Sequence, residues 1–466
     1  MNDTVARLCE ALGPDAVLTG ERIDAKYSVD YTAENARAPL AVVRPKSTAE
    51  VAEVMRICSA ANQAVVVQGG LTGLSGGATP RSGEIAVSLE RLTGVTRVDT
   101  AGMTLTANAG TPLQAIQAAA EDAGCLFPLD FGARGSAQIG GAIATNAGGN
   151  QVIRFGMARN LVLGLEAVLA DGMVISSMSS MLKNNAGYDL KQLFIGSEGT
   201  LGIITRCVLR LFPRLPSQAT ALCALQSFDD VVALLNDARG RLAGALSAFE
   251  VMWAPYFDYV TDHVEGIESP FAESFPLYAL IQIEGNDADS DAARLEEVLG
   301  EALEAGRIED AIFAQSQAQR DKLWAIRDGI SEITRLLTPY ASLDVSLAIE
   351  QMPAFIEDIE TELSGAFDDI VILIFGHVGD NNLHVFITTR RHEDLDRIHE
   401  IAYGITGRYQ GSVSAEHGIG QLKTGYLHYS RSPAELALMC MLKKALDPQG
   451  LLNAGRVVAQ QAKQSS

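Results

Sequence analysis

Basic residues are scarce in this chain. Its 466 residues include 36 Lys and Arg against 57 Asp and Glu, which gives a formal net charge of −21. Nucleic-acid surfaces need clustered Lys and Arg, and attraction to anionic lipid depends on the same residues. The composition therefore argues against a nucleic-acid-binding protein and against electrostatic attachment to a membrane surface.

Paired cysteines and long apolar runs are also missing. The six cysteines are widely spaced without a Cys-x-x-Cys pair, so nothing indicates a disulfide framework or an iron–sulfur cluster. No apolar run approaches the roughly 20 residues of a membrane helix, and the N-terminus carries charges where a signal peptide needs an apolar core. We therefore expect a soluble, cytoplasmic protein.

The composition is otherwise that of a globular protein. Hydrophobic residues make up 47% and charged residues 20%, and the length suits two or three domains. Disorder is expected only at the termini, such as residues 460–466.

Standard nucleotide-binding motifs are absent, although the chain has 43 glycines. Glycine-rich runs occur at 68–78, 132–149 and 196–202, and none matches Gly-x-Gly-x-x-Gly or ends in Gly-Lys-Ser/Thr. A nicotinamide-binding Rossmann unit and an ATPase are therefore disfavoured. Backbone amides in such runs can approach phosphate oxygens closely. The alternative, that they are flexible turns, is plausible for any one run but poor for all three.

The segments between these runs alternate between helix and strand. Ser47 to Glu50 form a capping box that predicts a helix, and Thr111-Pro112 predict an N-cap and first helical residue, with the helix ending near Ala123. A tight turn at Asp171-Gly172 predicts a hairpin. The predicted strands are 64–67, 85–89, 104–108, 165–170, 173–175 and 201–209. This order indicates an α+β unit that ends near residue 215 and surrounds a phosphate-bearing cofactor.

Histidine is rare, and its distribution is informative. Three of the seven histidines lie in the segments 377–384 and 415–420, and the first segment follows the apolar run 370–375, which predicts a buried strand. Three imidazoles and a carboxylate suit one divalent ion, such as zinc or manganese, and one general base. The alternative is that His377 and His384 are hydrogen-bonded core or turn residues, since their spacing is not a standard zinc pattern.

Taken together, these motifs resemble the FAD-dependent vanillyl-alcohol oxidase / p-cresol methylhydroxylase superfamily. The resemblance covers about residues 45–457 and is strongest for the branch of D-2-hydroxyglutarate dehydrogenase, D-lactate dehydrogenase and the glycolate oxidase FAD subunit. Its motifs lie at 44–47, 69–77, 139–149, 185–190, 196–203, 377–384, 416–418 and 447–453.

The resemblance implies an α+β fold with three parts. These are a two-part FAD-binding domain of the p-cresol methylhydroxylase (PCMH) type, an antiparallel-sheet substrate cap domain, and a C-terminal segment that returns to the flavin. The expected limits are 1–36 for an N-terminal helical segment, 37–215 for the FAD-binding domain, 216–425 for the cap with its metal site, and 426–466 for a C-terminal helical segment.

The resemblance also implies the residues that bind FAD. They are Pro45, Gly69, Gly70, Thr72, Gly73, Leu74, Ser75, Pro128, Gln138, Gly140, Thr145, Asn146, Gly148, Gly149, Glu198, Gly202, Ile203 and Asn453. Covalent flavin in this superfamily is usually linked through histidine or cysteine. No histidine precedes His263, so we expect non-covalent FAD, with Cys125 as the one candidate for a link.

By the same resemblance, the protein oxidises a D-2-hydroxy acid to the 2-oxo acid. Metal ligands would be His377, His384 and Glu416, His417 would be the general base, and Arg327 would bind the substrate carboxylate, with hydride transfer to flavin N5. Without the family, a surface salt bridge is the better interpretation of Arg327. A non-catalytic FAD-binding subunit and a metal-dependent hydrolase are the alternative functions.

Departures from the family pattern leave the substrate open. Ser342 stands where the hydroxyglutarate branch carries a lysine, Ser331 stands in place of a threonine, and the C-terminal motif reads 452–456 Leu-Asn-Ala-Gly-Arg. D-lactate or a substrate with an apolar tail is therefore nearly as well supported as D-2-hydroxyglutarate. Electron-transfer flavoprotein, quinone, cytochrome and, less favoured, oxygen remain open as acceptors, and a homodimer is a reasonable expectation.

Overall fold

The structure is a computed structural model that describes residues 3–459, so the tail predicted to be disordered, 460–466, lies outside the described residues. The described chain forms two compact units. The first unit comprises residues 3–149, 155–214 and 416–459, and the second comprises residues 150–154 and 215–415. The domain limits expected from the sequence, 1–36, 37–215, 216–425 and 426–466, stay predictions.

Residues 3–459 contain eighteen β-strands. In chain order, β1 to β18 are Val17–Leu18, Ala41–Val43, Val65–Gln68, Ile85–Ser88, Val95–Asp99, Thr104–Asn108, Cys125–Leu126, Val162–Val168, Val174–Ser177, Ile203–Arg210, Phe212–Pro213, Ser217–Leu225, Leu246–Trp253, Leu277–Gly285, Asp310–Phe313, Ala341–Ser346, Val371–Gly376 and Asn382–Thr388.

The same part of the chain contains fourteen α-helices. In chain order, α1 to α14 are Asp3–Leu12, Thr48–Ala60, Leu113–Asp122, Ile139–Ala144, Val152–Phe155, Ala158–Leu161, Phe228–Arg241, Ala254–His263, Ala288–Glu304, Gln317–Arg327, Ile330–Leu336, Met352–Ala366, Leu395–Arg408 and Pro433–Leu446.

The first unit contains two main sheets. One has the strand order β1-β2-β4-β3 with parallel β2/β4 and β4/β3 pairs, and the other is the antiparallel sheet β5-β6-β10-β8-β9. Buried apolar side chains from α2, α3 and both sheets form one core. The C-terminal segment returns to this unit, because Val65 pairs with Leu452 in a parallel bridge beside β3. The glycine-rich run after β3 therefore begins close to Leu452.

The helix starts follow the predicted capping chemistry with one correction. The Ser47 side chain accepts a hydrogen bond from the Glu50 N–H, and the Glu50 carboxylate accepts one from the Lys46 N–H, so α2 begins at the predicted cap. The prediction that Thr111 caps α3 with Pro112 inside the helix is wrong by one residue. Pro112 is itself the N-cap, with an extended ψ of 142°, and the helix begins at Leu113.

The predicted hairpin forms, but its turn is longer than expected. β8 and β9 pair in antiparallel fashion. The Gly172 N–H donates to the Leu169 carbonyl oxygen at 3.0 Å, and the Leu169 N–H donates to the Met173 carbonyl oxygen at 2.9 Å. Gly172 has a left-handed φ of 85°. This is a three-residue loop with a glycine bulge, not the predicted two-residue turn.

The second unit is built on an antiparallel sheet of seven strands, β15-β12-β14-β13-β17-β18-β16. Helices α8, α10 and α11 pack apolar side chains against part of one face. The strand register places His384 opposite Asp344 on one side and opposite Phe375 on the other. Strand β17 pairs with β18 on one side and with β13 on the other. Glu250 on β13 and His377 after β17 therefore meet near the middle of the sheet, although they are distant in sequence.

Candidate active site

The first glycine-rich run follows β3 and leaves its backbone donors free. Among residues 3–459, the N–H groups of residues 69–74 donate no hydrogen bond to another protein group. An ideal Cβ on Gly70 would lie 2.1 Å from the Ser136 carbonyl oxygen, so only glycine fits there. Leu71 adopts a left-handed φ of 59°. A row of free amides in a tight loop is suited to binding the oxygens of a pyrophosphate.

The second run contacts the first and carries an unsatisfied polar atom. Gln138 is the N-cap of α4 and is buried, and its Oε1 has no hydrogen-bond partner within the described part of the chain. The position of an ideal Cβ on Gly69 lies 3.6 Å from that atom. A buried acceptor without a partner costs free energy. Its place beside the free amides fits a bound ligand that donates to it.

The third run joins the second run to the C-terminal segment. The Glu198 N–H donates to the Ala144 carbonyl oxygen at 2.8 Å, and the Glu198 carboxylate accepts from the N–H groups of Ile419 and Gly420 at 2.7 and 2.8 Å. Burial raises the pKa of Glu198, although those two N–H groups oppose the rise. The carboxylate thus holds residues 419–420 in place beside the glycine-rich runs.

Asn453 connects β3 to the third glycine-rich run. Its Oδ1 accepts from the Val67 N–H at 2.8 Å, and its Nδ2 donates to the Glu198 carbonyl oxygen at 2.6 Å. Asn146, Glu198 and Asn453 all have left-handed φ values, of 54°, 50° and 44°. Strained backbone of this kind concentrates at binding and catalytic sites. All three residues belong to the predicted FAD-binding set.

The remaining predicted FAD residues lie in the same unit in different settings. Pro45 and Pro128 are buried, and the Thr145 hydroxyl donates to the Gly141 carbonyl oxygen. Gly202 packs against Phe194, where an ideal Cβ would lie 2.8 Å from the ring, and Ile203 belongs to the apolar core. Cys125, the candidate for a covalent link, is buried in β7. Non-covalent attachment of FAD stays a prediction.

Glu416 and His417 begin the C-terminal part of the first unit, beside the second glycine-rich run. An ideal Cβ on Gly148 would lie 2.1 Å from Oε1 of Glu416. The His417 carbonyl oxygen accepts a hydrogen bond from the Ser75 hydroxyl at 3.1 Å. Both residues are partly exposed. Glu416, the predicted metal ligand, therefore lies against Gly148, and the backbone of His417, the predicted base, is hydrogen-bonded to Ser75.

This contact gives a first testable prediction, for Gly148→Ala. The new methyl group displaces the flexible end of Glu416 and leaves the backbone unstrained, because Gly148 has no left-handed φ. We expect the thermal midpoint to change little and the affinity for zinc to fall by about tenfold or more, as for other changes that reorient a ligand. Because Gly148 also belongs to the predicted FAD-binding set, the zinc affinity is compared at equal FAD content. Competition with a chromogenic chelator measures that affinity.

Gly141→Ala is the matched control for this substitution. Gly141 lies in the same run, and its ideal Cβ has no neighbour within 4 Å. This variant should bind zinc as the unmodified protein does. Unchanged zinc affinity in a folded Gly148→Ala protein would contradict the link between Gly148 and Glu416.

The polar centre of the second unit is a network of Glu250, Arg327 and His377. Arg327 Nε donates to Glu250 Oε2 at 2.9 Å, and its Nη2 lies 2.9 Å from His377 Nε2. His377 Nδ1 lies 2.6 Å from Glu250 Oε1. The side chains of all three residues are at most 9% exposed. The alternative that Arg327 forms a surface salt bridge is therefore wrong, because its ion pair is buried.

Hydrogen-bond roles in this network define the His377 tautomer. A guanidinium only donates, so His377 Nε2 accepts, and the ionised Glu250 only accepts, so His377 Nδ1 carries the proton. Burial alone would raise the pKa of Glu250, but the adjacent His377 and Arg327 lower it to about 2. Burial opposes the charge of Arg327, and Glu250 more than compensates, which raises the pKa of Arg327. The Nε2 lone pair, which accepts from Arg327 in this structure, is the one that a metal would bind in place of the guanidinium.

Neighbouring aromatic groups support this network. The Tyr256 hydroxyl donates to the Arg327 carbonyl oxygen at 2.6 Å. The Tyr256 ring stacks on Phe375, with 4.4 Å between centroids, and the Arg327 guanidinium lies 5.2 Å from the Phe375 centroid. These contacts fix the C-terminal end of α10, where the Arg327 side chain meets Glu250 on β13.

His384 lies in the same unit with a similar arrangement. The centroids of the His377 and His384 rings are 5.4 Å apart, and His384 Nδ1 lies 3.9 Å from Asp344 Oδ1. Asp344 is fully buried and accepts hydrogen bonds from Asn382 and Ser414. A buried carboxylate hydrogen-bonded to Nδ1 is the usual outer-shell support for a metal-binding histidine. His377 has this support from Glu250, whereas Asp344 lies near His384 at a distance longer than a hydrogen bond. These donor sets fit a borderline divalent ion.

Two functional candidates, Glu250 and Asp344, were missed by the sequence reasoning. Glu250 lies in the otherwise largely apolar strand β13, and an acidic residue in such a strand is a signal that could have been read. Nothing in the sequence alone pairs either carboxylate with a particular histidine.

Comparison with known proteins places this chain in a family. Residues 39–177 match the FAD binding domain, and residues 214–457 match the C-terminal domain of the FAD linked oxidases. The structure resembles that of p-cresol methylhydroxylase with substrate bound, with a TM-score of 0.77 at 16% identity over 98% of this chain and 97% of that one. The fold is therefore the two-domain, PCMH-type FAD-binding fold that the sequence predicts.

Curated relatives define the family more closely. The chain is 40% identical to D-2-hydroxyglutarate dehydrogenase of Xanthomonas citri pv. viticola, over 92% of each chain. It is 39% identical to the mitochondrial D-2-hydroxyglutarate dehydrogenase of Arabidopsis thaliana, over 89% of this chain and 74% of the relative. The chain belongs to the FAD-linked oxidase family and is an FAD-dependent oxidoreductase, which rules out the metal-dependent hydrolase and the non-catalytic subunit.

The compartment stays a prediction. Among residues 3–459, no helix has both the length and the apolar composition needed to cross a bilayer. The name of the Arabidopsis relative includes the word mitochondrial, so the expected cytoplasmic location is not confirmed.

Proposed function

We propose that this protein is an FAD-dependent dehydrogenase that oxidises a D-2-hydroxy acid to the corresponding 2-oxo acid. The observation that carries the proposal is the contact between Arg327 and His377, at 2.9 Å in the second unit. A 2-hydroxy acid carries its carboxylate and hydroxyl on adjacent carbons. A carboxylate-binding guanidinium next to a metal-binding imidazole matches that spacing. The names of the curated relatives support the same substrate class.

Each residue of the proposed active site has its own role. The Nη1–Nη2 edge of Arg327 binds the substrate carboxylate in bidentate fashion, and its Nε stays bonded to Glu250. His377, His384 and Glu416 would hold a divalent ion, zinc or manganese. His417 accepts the hydroxyl proton, since free imidazole has a pKa near neutrality. A metal held by these residues would supply polarisation of the substrate hydroxyl, and FAD held by the first unit would supply the hydride acceptor.

FAD is bound by the first unit in this proposal. The free amides of residues 69–74 would bind the pyrophosphate oxygens, and the unpaired Gln138 Oε1 would accept a hydrogen bond from the cofactor. Asn146, Glu198 and Asn453 shape the surrounding backbone. The other residues of the predicted FAD set complete the site.

Strand β16 offers no lysine to bind a second carboxylate of the substrate. Ser342 is exposed on this strand and offers only a short hydroxyl where the hydroxyglutarate branch has a cation. Both D-2-hydroxyglutarate and D-lactate therefore fall within the proposed substrate class.

Anaerobic visible spectroscopy of the purified protein tests the proposal. We expect the oxidised flavin band, at about 450 nm for this cofactor, to be bleached by D-2-hydroxyglutarate or D-lactate. L-lactate is the stereochemical control, and glycolate and D-malate extend the series. A flavin-containing protein that none of these D-acids bleaches would contradict the proposed substrate class.

A further inference from the structure

The buried carboxylate of Glu250 contacts two residues with different proposed roles. Its Oε2 accepts from Nε of Arg327, the proposed carboxylate-binding residue, and its Oε1 accepts from Nδ1 of His377, a proposed metal ligand. Glu250 is 1% exposed. A buried carboxylate is costly unless it is paired and hydrogen-bonded, and each oxygen of Glu250 has one such partner.

We propose that Glu250 is a positioning residue that sets the His377 tautomer and the orientation of Arg327 together. This inference rests on the proposed function. Glu250 keeps the proton on His377 Nδ1, which leaves the Nε2 lone pair for a metal. It also holds Arg327 through Nε, which leaves the Nη1–Nη2 edge for the substrate carboxylate. One side chain thus aligns the site for the substrate carboxylate with the site for its hydroxyl.

The contacts of the Arg327 edge support this arrangement. Nη2 lies beside His377 Nε2, and Nη1 donates to Asp328 Oδ1 at 3.3 Å. Asp328 is largely exposed at its side chain, so a carboxylate can replace it as the acceptor. The Nε contact to Glu250, in contrast, is buried. Arg327 can therefore exchange the partners of its Nη groups while Glu250 keeps its Nε in place.

An isosteric amide cannot accept hydrogen bonds from both Arg327 Nε and His377 Nδ1, as the Glu250 carboxylate does. In Glu250→Gln, one of the two oxygens becomes an NH₂ donor. Arg327 has no other protonation state, so the remaining oxygen faces Arg327 and the NH₂ group faces His377. His377 must then accept at Nδ1 and carry its proton on Nε2, and Nη2 of Arg327 must exchange its contact with Nε2 for another acceptor. That tautomer has no lone pair at Nε2 for a metal.

The test compares the full-length, FAD-loaded protein with its Glu250→Gln variant. We expect zinc affinity, measured by chelator competition, to fall 10- to 100-fold, the usual range for loss of an outer-shell partner. We expect KM for the D-acid to rise by about tenfold or more, because a charge-assisted hydrogen bond to Arg327 is weakened. Long-range ¹H–¹⁵N NMR of the histidine rings, without metal, should show His377 change from the Nδ1–H to the Nε2–H tautomer.

Two further variants separate positioning from general destabilisation. Glu284→Gln is the matched control, because Glu284 is also buried, lies on the adjacent strand β14, and accepts from Gln151 and Gln218. It should leave the His377 tautomer and zinc affinity unchanged. Glu250→Asp keeps the charge and should restore the Nδ1–H tautomer and part of the zinc affinity.

The outcomes are distinct. An Nδ1–H tautomer in folded Glu250→Gln would overturn the proposal, and so would an equal loss of zinc affinity in Glu284→Gln. Failure of every D-2-hydroxy acid to bleach the flavin of the unmodified protein would refute the proposed function instead. In that case the NMR comparison still decides whether Glu250 sets the tautomer.

Discussion

Replacing His417 with alanine should leave FAD bound and slow reduction of the flavin by a D-2-hydroxy acid by about 10²- to 10⁴-fold, the contribution of a general base. The backbone of His417 is held by the Ser75 hydroxyl through its carbonyl oxygen, and this contact does not depend on the imidazole. The substitution therefore removes the proton acceptor without removing the link between the two segments. Anaerobic stopped-flow absorbance measures the reduction rate.

The control for this variant is His428→Ala. His428 lies in the same C-terminal segment, is exposed, and hydrogen-bonds through Nδ1 to the Gly425 carbonyl oxygen. It should reduce flavin at the unmodified rate. Near-normal reduction in His417→Ala, with normal FAD content, would remove His417 from the role of base.

Removing the divalent metal should abolish turnover while the protein stays yellow. Polarisation of the hydroxyl by a metal stabilises the transition state by several kcal/mol, which corresponds to a loss of at least about 10²-fold in rate. Dialysis against a chelator, followed by separate addition of zinc and manganese, should restore activity and identify the preferred ion. Absorbance of bound FAD reports whether the flavin site is intact.

A ligand substitution makes the metal test specific. His384→Ala should reproduce the loss caused by chelation, and added zinc or manganese should not restore full activity, because one imidazole donor is missing. His263→Ala is a suitable control, since His263 is exposed at the end of α8 and its Nδ1 contacts the Tyr259 carbonyl oxygen. Full activity in the metal-free protein would show that the ligand assignment is wrong.

Much of the local structure could be predicted from the sequence. The capping residues Ser47 and Glu50 define the start of α2, and strand β6 spans exactly the predicted residues, Thr104–Asn108. Capping and alternation depend on neighbours in the chain, so local patterns suffice. The turn after β8 was predicted one residue too short, because the Asp-Gly signal is shared by two- and three-residue hairpin loops.

The cofactor class could also be predicted, because glycine-rich loops carry their own signature. Close approaches such as that between Gly70 and Ser136 exclude any side chain, and such constraints leave glycine at fixed places in the sequence. The partners of these loops were less predictable. Contact of Glu198 with FAD stays a prediction, and the sequence did not indicate that its carboxylate accepts from the N–H groups of Ile419 and Gly420.

The sequence by itself determined the family, the positions of the glycine-rich loops and the residue types available for a metal, a base and a carboxylate ligand. Only the tertiary structure decided how the polar residues of the second unit are paired. Glu250 meets Arg327 and His377 across separations of 77 and 127 residues, because β13 lies next to β17 in the sheet. Strand order and register depend on the packing of the whole sheet, which no local pattern encodes.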